Sequence, residues 1–416
     1  FKTTRKQPKN DEIITYKNLK LKTQRKSNTD KLNITFTNQS SQTTLNFVTD
    51  SILPKYLLGG VGTALILASQ FCIKNNMRLR IITRNNEPSR QYYEDFMNLM
   101  HENCVQDVQY YTDCRRDYLG RIKDKLELSN NELFFATSWW SAQALKNSGV
   151  NKFYYIIQEV EPFFYNYCDR HLMCSQILSD ENICFIVNHK NLWNYFQHNY
   201  PNITNHGIYF NPCFPKHLYG NSVDNISKEK DKYKLFFYAR EANSRNLYYT
   251  GLEILNTAIE KQILDINKWE IYFAGAELKK LELAKGYRPK FLGQLSWGDY
   301  AKFLKEIDCS FSLMYTPHPS YPPLDVVASG AVAVTNSFDY KTDCEWSENM
   351  LFGDLITEKM LEKLNEGLKL SRNLEKRIEN YQSQTIPSDW GKELSNVITF
   401  MEQQVPQFLV EKGLIL

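Results

Sequence analysis

Two arginines, Arg240 and Arg245, stand at and just past the end of an apolar run, LFFYAR (235–240), that reads as a β-strand. Beyond the carboxyl end of a parallel strand, two fixed cations suit a diphosphate, because each guanidinium presents paired donors matched to phosphate oxygens. The plain alternative is a salt bridge involving Glu241. A second cluster spans 312–336, SLMYTPHPSYPPLDVVASGAVAVTN, where a strand enters a proline-rich turn and then a helix expected to carry Asp325 in its first turn. A carboxylate there accepts hydrogen bonds from a sugar diol while the free N–H groups of that turn face anionic oxygens, or it only complements the helix dipole. The sequence EVEP (159–162) follows the apolar run FYYIIQ (153–158). If that strand continues, Glu159 and Glu161 face a cleft on one side and bind acceptor hydroxyls or stabilise positive charge on a sugar; otherwise they are solvated loop residues.

Gly59, Gly60, Val61 and Gly62 follow a strand and open a helix, the place for a backbone cradle around an anionic or hydroxyl-rich ligand, or for a tight structural turn. The dinucleotide fingerprint is incomplete: Leu65 replaces its third glycine, and the strand LRIITR (79–84) ends in Arg84 rather than an acid. A dehydrogenase is therefore disfavoured. Trp139 and Trp140 either stack on a sugar face or belong to the core. No Asp-x-Asp occurs, the seven histidines form no H-x-x-x-H or HExxH, and the nine cysteines form no CxxC. The expectation is a chain without a metal site, its thiols reduced in the cytosol, so that any diphosphate charge falls to arginines and backbone N–H groups.

The elements that must position these residues alternate. TLNFVTD (44–50), the helix from 61 to 76 and LRIITR form a β-α-β unit, and the rhythm continues to ICFIVN (183–188). A proline-containing, charged segment (209–234) reads as a linker, after which a second α/β set runs from LFFYAR to AVAVTN (331–336), followed by helices at 357–383 and 388–404. Parallel strands need crossovers, so two doubly wound domains with a cleft between them are expected. The 416 residues suffice for two such domains, and their composition excludes fibrous, disordered and repeat classes. The longest apolar stretch is interrupted by glycines and too short for a membrane span, and nothing points to nucleic acid. Residues 1–31 carry a net charge of +7 against −4 for the remainder, a basic arm that is either a solvated leader or a contact for anionic lipid or an acidic partner. Starting at Phe1, the chain reads as processed or as part of a longer protein.

The 312–336 stretch resembles the C-terminal signature of retaining GT-B glycosyltransferases of family 4, with Pro322, Leu324, Asp325, Ala328 and Gly330 in register. FYAR resembles the same family's strand-to-loop arginine, and Gly59–Gly60 its N-terminal loop. IIQEVEPFFY (156–165) and PHPSYPPLD (317–325) are similar to the branch of polysaccharide rhamnosyltransferases, so the resemblance runs over most of 45–400. Three departures stand out: the second carboxylate of the pattern is shortened to Asp325, the first is missing, with Pro317 in register and His318 beside it, and the loop lysine that accompanies the arginine has no clear counterpart, Arg245 being its candidate replacement. The resemblance implies a GT-B fold of two Rossmann-like domains: 32–217 for the acceptor, a saccharide or lipid-linked glycan, with a helix from 386–416 crossing back onto it, and 218–385 for the nucleotide-sugar. It implies a donor site at Gly59, Gly60, Arg240, Tyr321 and Asp325, catalytic roles for Arg240, Arg245, Glu159 and Glu161, and no metal. The implied reaction is transfer of L-rhamnose with retention from dTDP-L-rhamnose to a cell-surface polysaccharide. The setting would be the cytoplasm, with residues 1–31 touching the inner face of the plasma membrane. A GT-B sugar-nucleotide epimerase and a non-catalytic carbohydrate-binding subunit are the alternatives.

Overall fold

The structure is a computed structural model that describes residues 28–37, 42–57, 59–115, 122–275 and 279–409. The basic arm read at 1–31 lies, up to residue 27, outside the described residues. A short parallel pair, β1 (Ile34–Phe36) with β5 (Leu126–Leu128), stands apart from two large sheets. The first sheet contains β2 (Thr44–Thr49), β3 (Arg78–Thr83), β4 (Val108–Thr112), β6 (Glu132–Ala136), β7 (Phe153–Ile157), β8 (Ile183–Asn188) and β9 (Gly207–Phe210). Its order is β4-β3-β2-β6-β7-β8-β9, parallel throughout. The second contains β10 (Tyr233–Tyr238), β11 (Trp269–Ala274), β12 (Lys290–Gly293), β13 (Cys309–Phe311), β14 (Val332–Asn336) and β15 (Met350–Gly353), ordered β12-β11-β10-β13-β14-β15 and also parallel. These are the two doubly wound domains expected from the alternation.

Every residue of β2, β6, β7 and β8 is buried, as strands covered by helices on both faces must be, which is why they read as nearly unbroken apolar runs. The edge strands β4 and β9 are only partly covered. The C-terminal helix Trp390–Phe408 packs on the helix Gly60–Lys74 and on β9, so this helix returns to the first domain. Tyr154 on β7 reaches that helix, donating its hydroxyl to the Met401 carbonyl at 2.7 Å.

Several boundaries differ from the sequence reading. The runs KFLGQLS (290–296) and CSFSLMY (309–315) each read as a strand throughout, but β12 stops at Gly293 and β13 at Phe311. Past Phe311 the backbone leaves the ladder because the Asn336 side chain takes over its pairing, accepting from Met314 N at 2.7 Å and donating to Met314 O at 3.0 Å. The helix expected over 357–383 breaks at Asn373, whose side chain caps the second piece by accepting from Lys376 N. The segment read as a linker from 209 begins inside β9, and Asn221 pins it to the second domain through the carbonyls of Lys305 and Ser329.

Arg84, which ends β3's run, is fully buried against Asp113, Nε to Oδ2 at 2.7 Å, and also donates to the carbonyls of Asn28 and Asp30. Removing one partner of such a pair strands a charge in the interior. Asp113→Ala is expected to destabilise the protein by about 3–5 kcal/mol in urea unfolding, and a loss under about 1 kcal/mol would show that the pair does not hold this edge of the domain.

Candidate active site

The first strand of each domain lies beside the strand at which the order reverses: β2 next to β6 and β10 next to β13. Loops leaving the carboxyl ends at such a switch point form the natural binding crevice of an open parallel sheet. Here the two crevices share one cleft of about 650 Å³, lined by Gly59, Gly60, Gln158 and Glu159 from the first domain and Arg240, Arg245, His318, Tyr321 and Asp325 from the second.

Gly59 caps the helix Gly60–Lys74 with φ +67, a conformation that disfavours any side chain, and a Cβ on Gly60 would lie 2.6 Å from Gln158 Oε1. Gln158 Nε2 donates to the Gly60 carbonyl at 2.6 Å, and Asn188 Nδ2 reaches Gln158 Oε1 at 3.2 Å and the Tyr321 hydroxyl at 2.6 Å. Tyr321 also meets Thr63 Oγ1 at 2.9 Å. One polar chain thus ties the glycine turn, the ends of β7 and β8, and the first residue of the second domain's helix Tyr321–Ala328. The first turn of helix Gly60–Lys74 has no side-chain cap and no acid, so its N–H groups stay available to an anion.

Arg240 and Arg245 both reach the cleft. Arg240 donates to the Tyr238 hydroxyl at 3.4 Å, and among the described residues no carboxylate forms an ion pair with it. Glu241, the alternative partner, instead accepts from Tyr249. Arg245 lies over the Phe164 ring at 4.2 Å with its Nε 3.7 Å from Glu159. That separation is an ion pair without a hydrogen bond, and Arg245 Nε has no other acceptor. Burial pushes the Arg245 guanidinium below its ordinary value, with Glu159 opposing.

The two carboxylates of EVEP part company. β7 ends at Ile157, and the chain turns at Glu161 into a short 3₁₀ helix, so strand alternation does not extend to either residue. Glu159 faces the cleft, accepting from Thr316 Oγ1 at 3.2 Å and from Val160 N at 2.9 Å. Burial raises its pKa against the pull of Arg245. Glu161 points into the first domain, accepting the N–H of Trp139 at 2.7 Å, the first residue of the helix Trp139–Asn147. Burial pushes it up to about 8, and it is a helix-terminus group rather than a cleft residue. Trp139 and Trp140 are not among the cleft residues either; their indole N–H groups go to Tyr165 and Asp50.

Asp325 also corrects the sequence reading. The helix begins at Tyr321, so Asp325 lies beyond its first turn, 4% exposed. Its Oδ2 accepts the Tyr300 hydroxyl at 3.2 Å, Oδ1 has no partner, and burial pushes the carboxyl up to about 7. Tyr219, Tyr300 and Trp297 surround this end of the cleft. Sequence reasoning missed all three, because with 26 tyrosines and seven tryptophans in the chain one more aromatic carries no signal. Pro322 and Pro323 lack N–H groups, so this helix start offers an anion fewer donors than a first turn ordinarily does.

Two domain models match in chain order: the WsaF N-terminal domain over 44–190 and the WsaF C-terminal domain over 233–365, together about two thirds of the chain. The chain belongs to the WsaF family. A curated relative, the O-antigen biosynthesis protein RfbC of Myxococcus xanthus, is 24% identical over 293 residues, covering 67% of this chain but 21% of that protein's length. Among solved structures, TarM of S. aureus, a mutant in complex with UDP among other ligands, superposes with a TM-score of 0.58 at 9% identity, covering 88% of this chain and 99% of that one. Sucrose-phosphate synthase of Thermosynechococcus elongatus gives 0.54 at 12%, covering 88% and 99%. WaaG, a glycosyltransferase involved in lipopolysaccharide biosynthesis, gives 0.55 at 12%, covering 85% and 99%. The fold of this WsaF-family chain is accordingly GT-B, two Rossmann-like domains about a cleft.

In this WsaF-family chain the folded values of Asp325 and Glu161 lie above the unfolded carboxylate range of about 4, so the folded state holds their protons more tightly. The stability they contribute is complete below about pH 4 and is lost as pH rises through about 7 for Asp325 and about 8 for Glu161. Asp325→Asn and Glu161→Gln should each flatten the fall in melting temperature between pH 5 and pH 9, recovering roughly 1–3 kcal/mol at the alkaline end. A variant whose melting profile runs parallel to the wild type would show that its carboxyl does not titrate there.

Proposed function

We propose that this chain is a glycosyltransferase of cell-surface polysaccharide assembly, which takes a sugar from a nucleoside diphosphate donor bound mainly by the second domain and passes it to a saccharide or lipid-linked acceptor bound by the first. The observation that carries the reading is the pair Arg240 and Arg245 in one cleft, the first with no carboxylate pairing it among the described residues, opposite the uncapped helix start at Gly60. A diphosphate leaving group gains negative charge as its bond to the sugar breaks, and preorganised cations and N–H groups stabilise that charge more than they stabilise the bound donor. Asp325, among Tyr219, Tyr300 and Trp297, would take the nucleoside end, its unpaired Oδ1 accepting a ribose hydroxyl. The acceptor's hydroxyl proton would pass to the departing phosphate oxygen as the new bond to the sugar forms, giving retention, and Glu159 would lie beside the reacting sugar.

The donor in this reading is dTDP-L-rhamnose, on the resemblance to polysaccharide rhamnosyltransferases; a deoxyribose without a 2′-hydroxyl asks for a single carboxylate acceptor. The names of RfbC and WaaG support the polysaccharide setting, and the UDP complex of TarM supports a nucleotide in this fold's cleft. No helix among the described residues is long and apolar enough to cross a membrane. In this reading the basic residues 1–31 hold the enzyme to the anionic inner leaflet, where a lipid-linked acceptor is presented.

Thermal-shift screening with dTDP, UDP, GDP and ADP should single out dTDP, and ligand at about 100 times Kd should add about 2.7 kcal/mol. Arg240→Ala is then expected to lose about 1.5–3 kcal/mol of nucleotide binding by isothermal titration, with lysine restoring part of it. Unchanged affinity would remove Arg240 from the site. Turnover should persist in EDTA, since the positive charge in this reading comes from side chains. Activity lost to chelator and restored by Mg²⁺ or Mn²⁺ would overturn that mechanism, and sugar released or isomerised without an acceptor would favour an epimerase instead.

A further inference from the structure

His318 sits on the loop between β13 and the helix Tyr321–Ala328, 4% exposed and lining the cleft. Its Nδ1 lies 3.0 Å from the backbone N of Ser320 and so accepts that N–H. A neutral imidazole whose Nδ1 accepts carries its proton on Nε2. That Nε2 is buried without a hydrogen-bond partner, a costly state for a donor unless a ligand satisfies it. Burial, with Lys341 and Arg245 nearby, pushes the ring down to about 3, so it stays a neutral donor over the working pH range.

Neighbour relations order the cleft. Asp325 accepts the Tyr300 hydroxyl, the Tyr300 ring lies beside Phe236 and Phe236 beside Tyr238, the partner of Arg240, whereas Arg245 pairs with Glu159, which accepts from Thr316, two residues before His318. Asp325 and Arg240 are thus linked through one set of contacts, and Arg245, Glu159 and the His318 loop through another. If Asp325 holds the nucleoside and the arginines the diphosphate, the His318 loop, joined to Arg245 through Thr316 and Glu159, is on the side of the cleft left to the transferred sugar. A phosphate oxygen there would be better served by the guanidinium groups already present, whereas a sugar oxygen is matched by a neutral N–H. We propose that the Nε2–H of His318 donates a hydrogen bond to an oxygen of the transferred sugar and so selects which sugar, and in which orientation, the cleft accepts. This rests on the donor reading given under Proposed function. A sugar lacking that oxygen leaves a buried donor unpaired, and sites of this kind discriminate strongly against such analogues.

The test is isothermal titration of the full chain with dTDP and with dTDP-L-rhamnose, for wild type, His318→Ala and His318→Gln. The alanine variant should bind dTDP within about twofold of wild type, which also shows that it folds, and bind dTDP-L-rhamnose about 3- to 10-fold more weakly. Glutamine, whose amide nitrogen falls close to the position of Nε2, should recover most of that loss. Equal weakening of both ligands, or no weakening of the sugar-linked one, overturns the assignment of His318. Wild-type protein that binds neither ligand overturns the donor reading instead.

Discussion

Parallel strands can be joined only by crossovers, and this constraint organises the whole molecule. Each crossover returns the chain to the same starting edge, so every strand of a sheet delivers its following loop to one side. With thirteen parallel strands divided between two sheets, that rule collects the glycine turn after β2, the Glu159 loop after β7, the arginine loop after β10 and the His318 loop after β13 around a single cleft. Residues nearly 260 positions apart then come within hydrogen-bond reach, as Thr63 and Tyr321 do at 2.9 Å.

What the loops hold depends on how they are braced. Tyr315 N donates to the Arg245 carbonyl at 2.8 Å, and Asn246 Nδ2 reaches Leu313 O at 3.1 Å, so the arginine and histidine loops form one unit. Asn336 fixes the start of that unit by replacing a strand partner. Across the cleft, Gln158 and Asn188 bind the glycine turn to Tyr321. The polar side chains of the bracing are almost all amides and hydroxyls, which hold geometry without adding charge to a region that already contains Arg240, Arg245 and Lys341. Lys341 shows the cost of burial there: desolvation pulls it down to about 7 while it donates to Met314 O at 2.5 Å.

Burial also explains why similar side chains take different parts. Glu159 and Glu161 are two residues apart and both deeply buried, yet one meets a cation across the cleft and the other a helix N-terminus inside its own domain. The difference lies in the 3₁₀ turn at Glu161–Phe164, which rotates the second carboxylate away from the first. Asp325 is held a turn deeper into its helix than an N-terminal carboxylate would be, among aromatic hydroxyls instead of solvent. Its raised pKa follows from desolvation at that position, against the pull of the Tyr300 and Tyr219 hydroxyls.

The sequence by itself determined the two-domain, doubly wound architecture, because apolar runs of strand length alternating with helical periodicity leave a parallel sheet as the one arrangement that buries both faces. It also marked Gly59, Gly60, Arg240 and Arg245, since each belongs to a local pattern whose chemistry depends on its position at the end of a strand or the start of a helix, and it marked Asp325 while placing it a turn too close to the helix start. Local patterns could not say where strand β7 stops, and so could not separate Glu159 from Glu161; nor could they show that Glu241 turns to Tyr249 and leaves Arg240 to the cleft. The aromatic hydroxyls around Asp325 and the unpartnered Nε2 of His318 were equally hidden. Those outcomes rest on contacts between loops far apart in the chain and on the desolvation of single atoms, quantities that exist only once both domains are folded and their loops face each other.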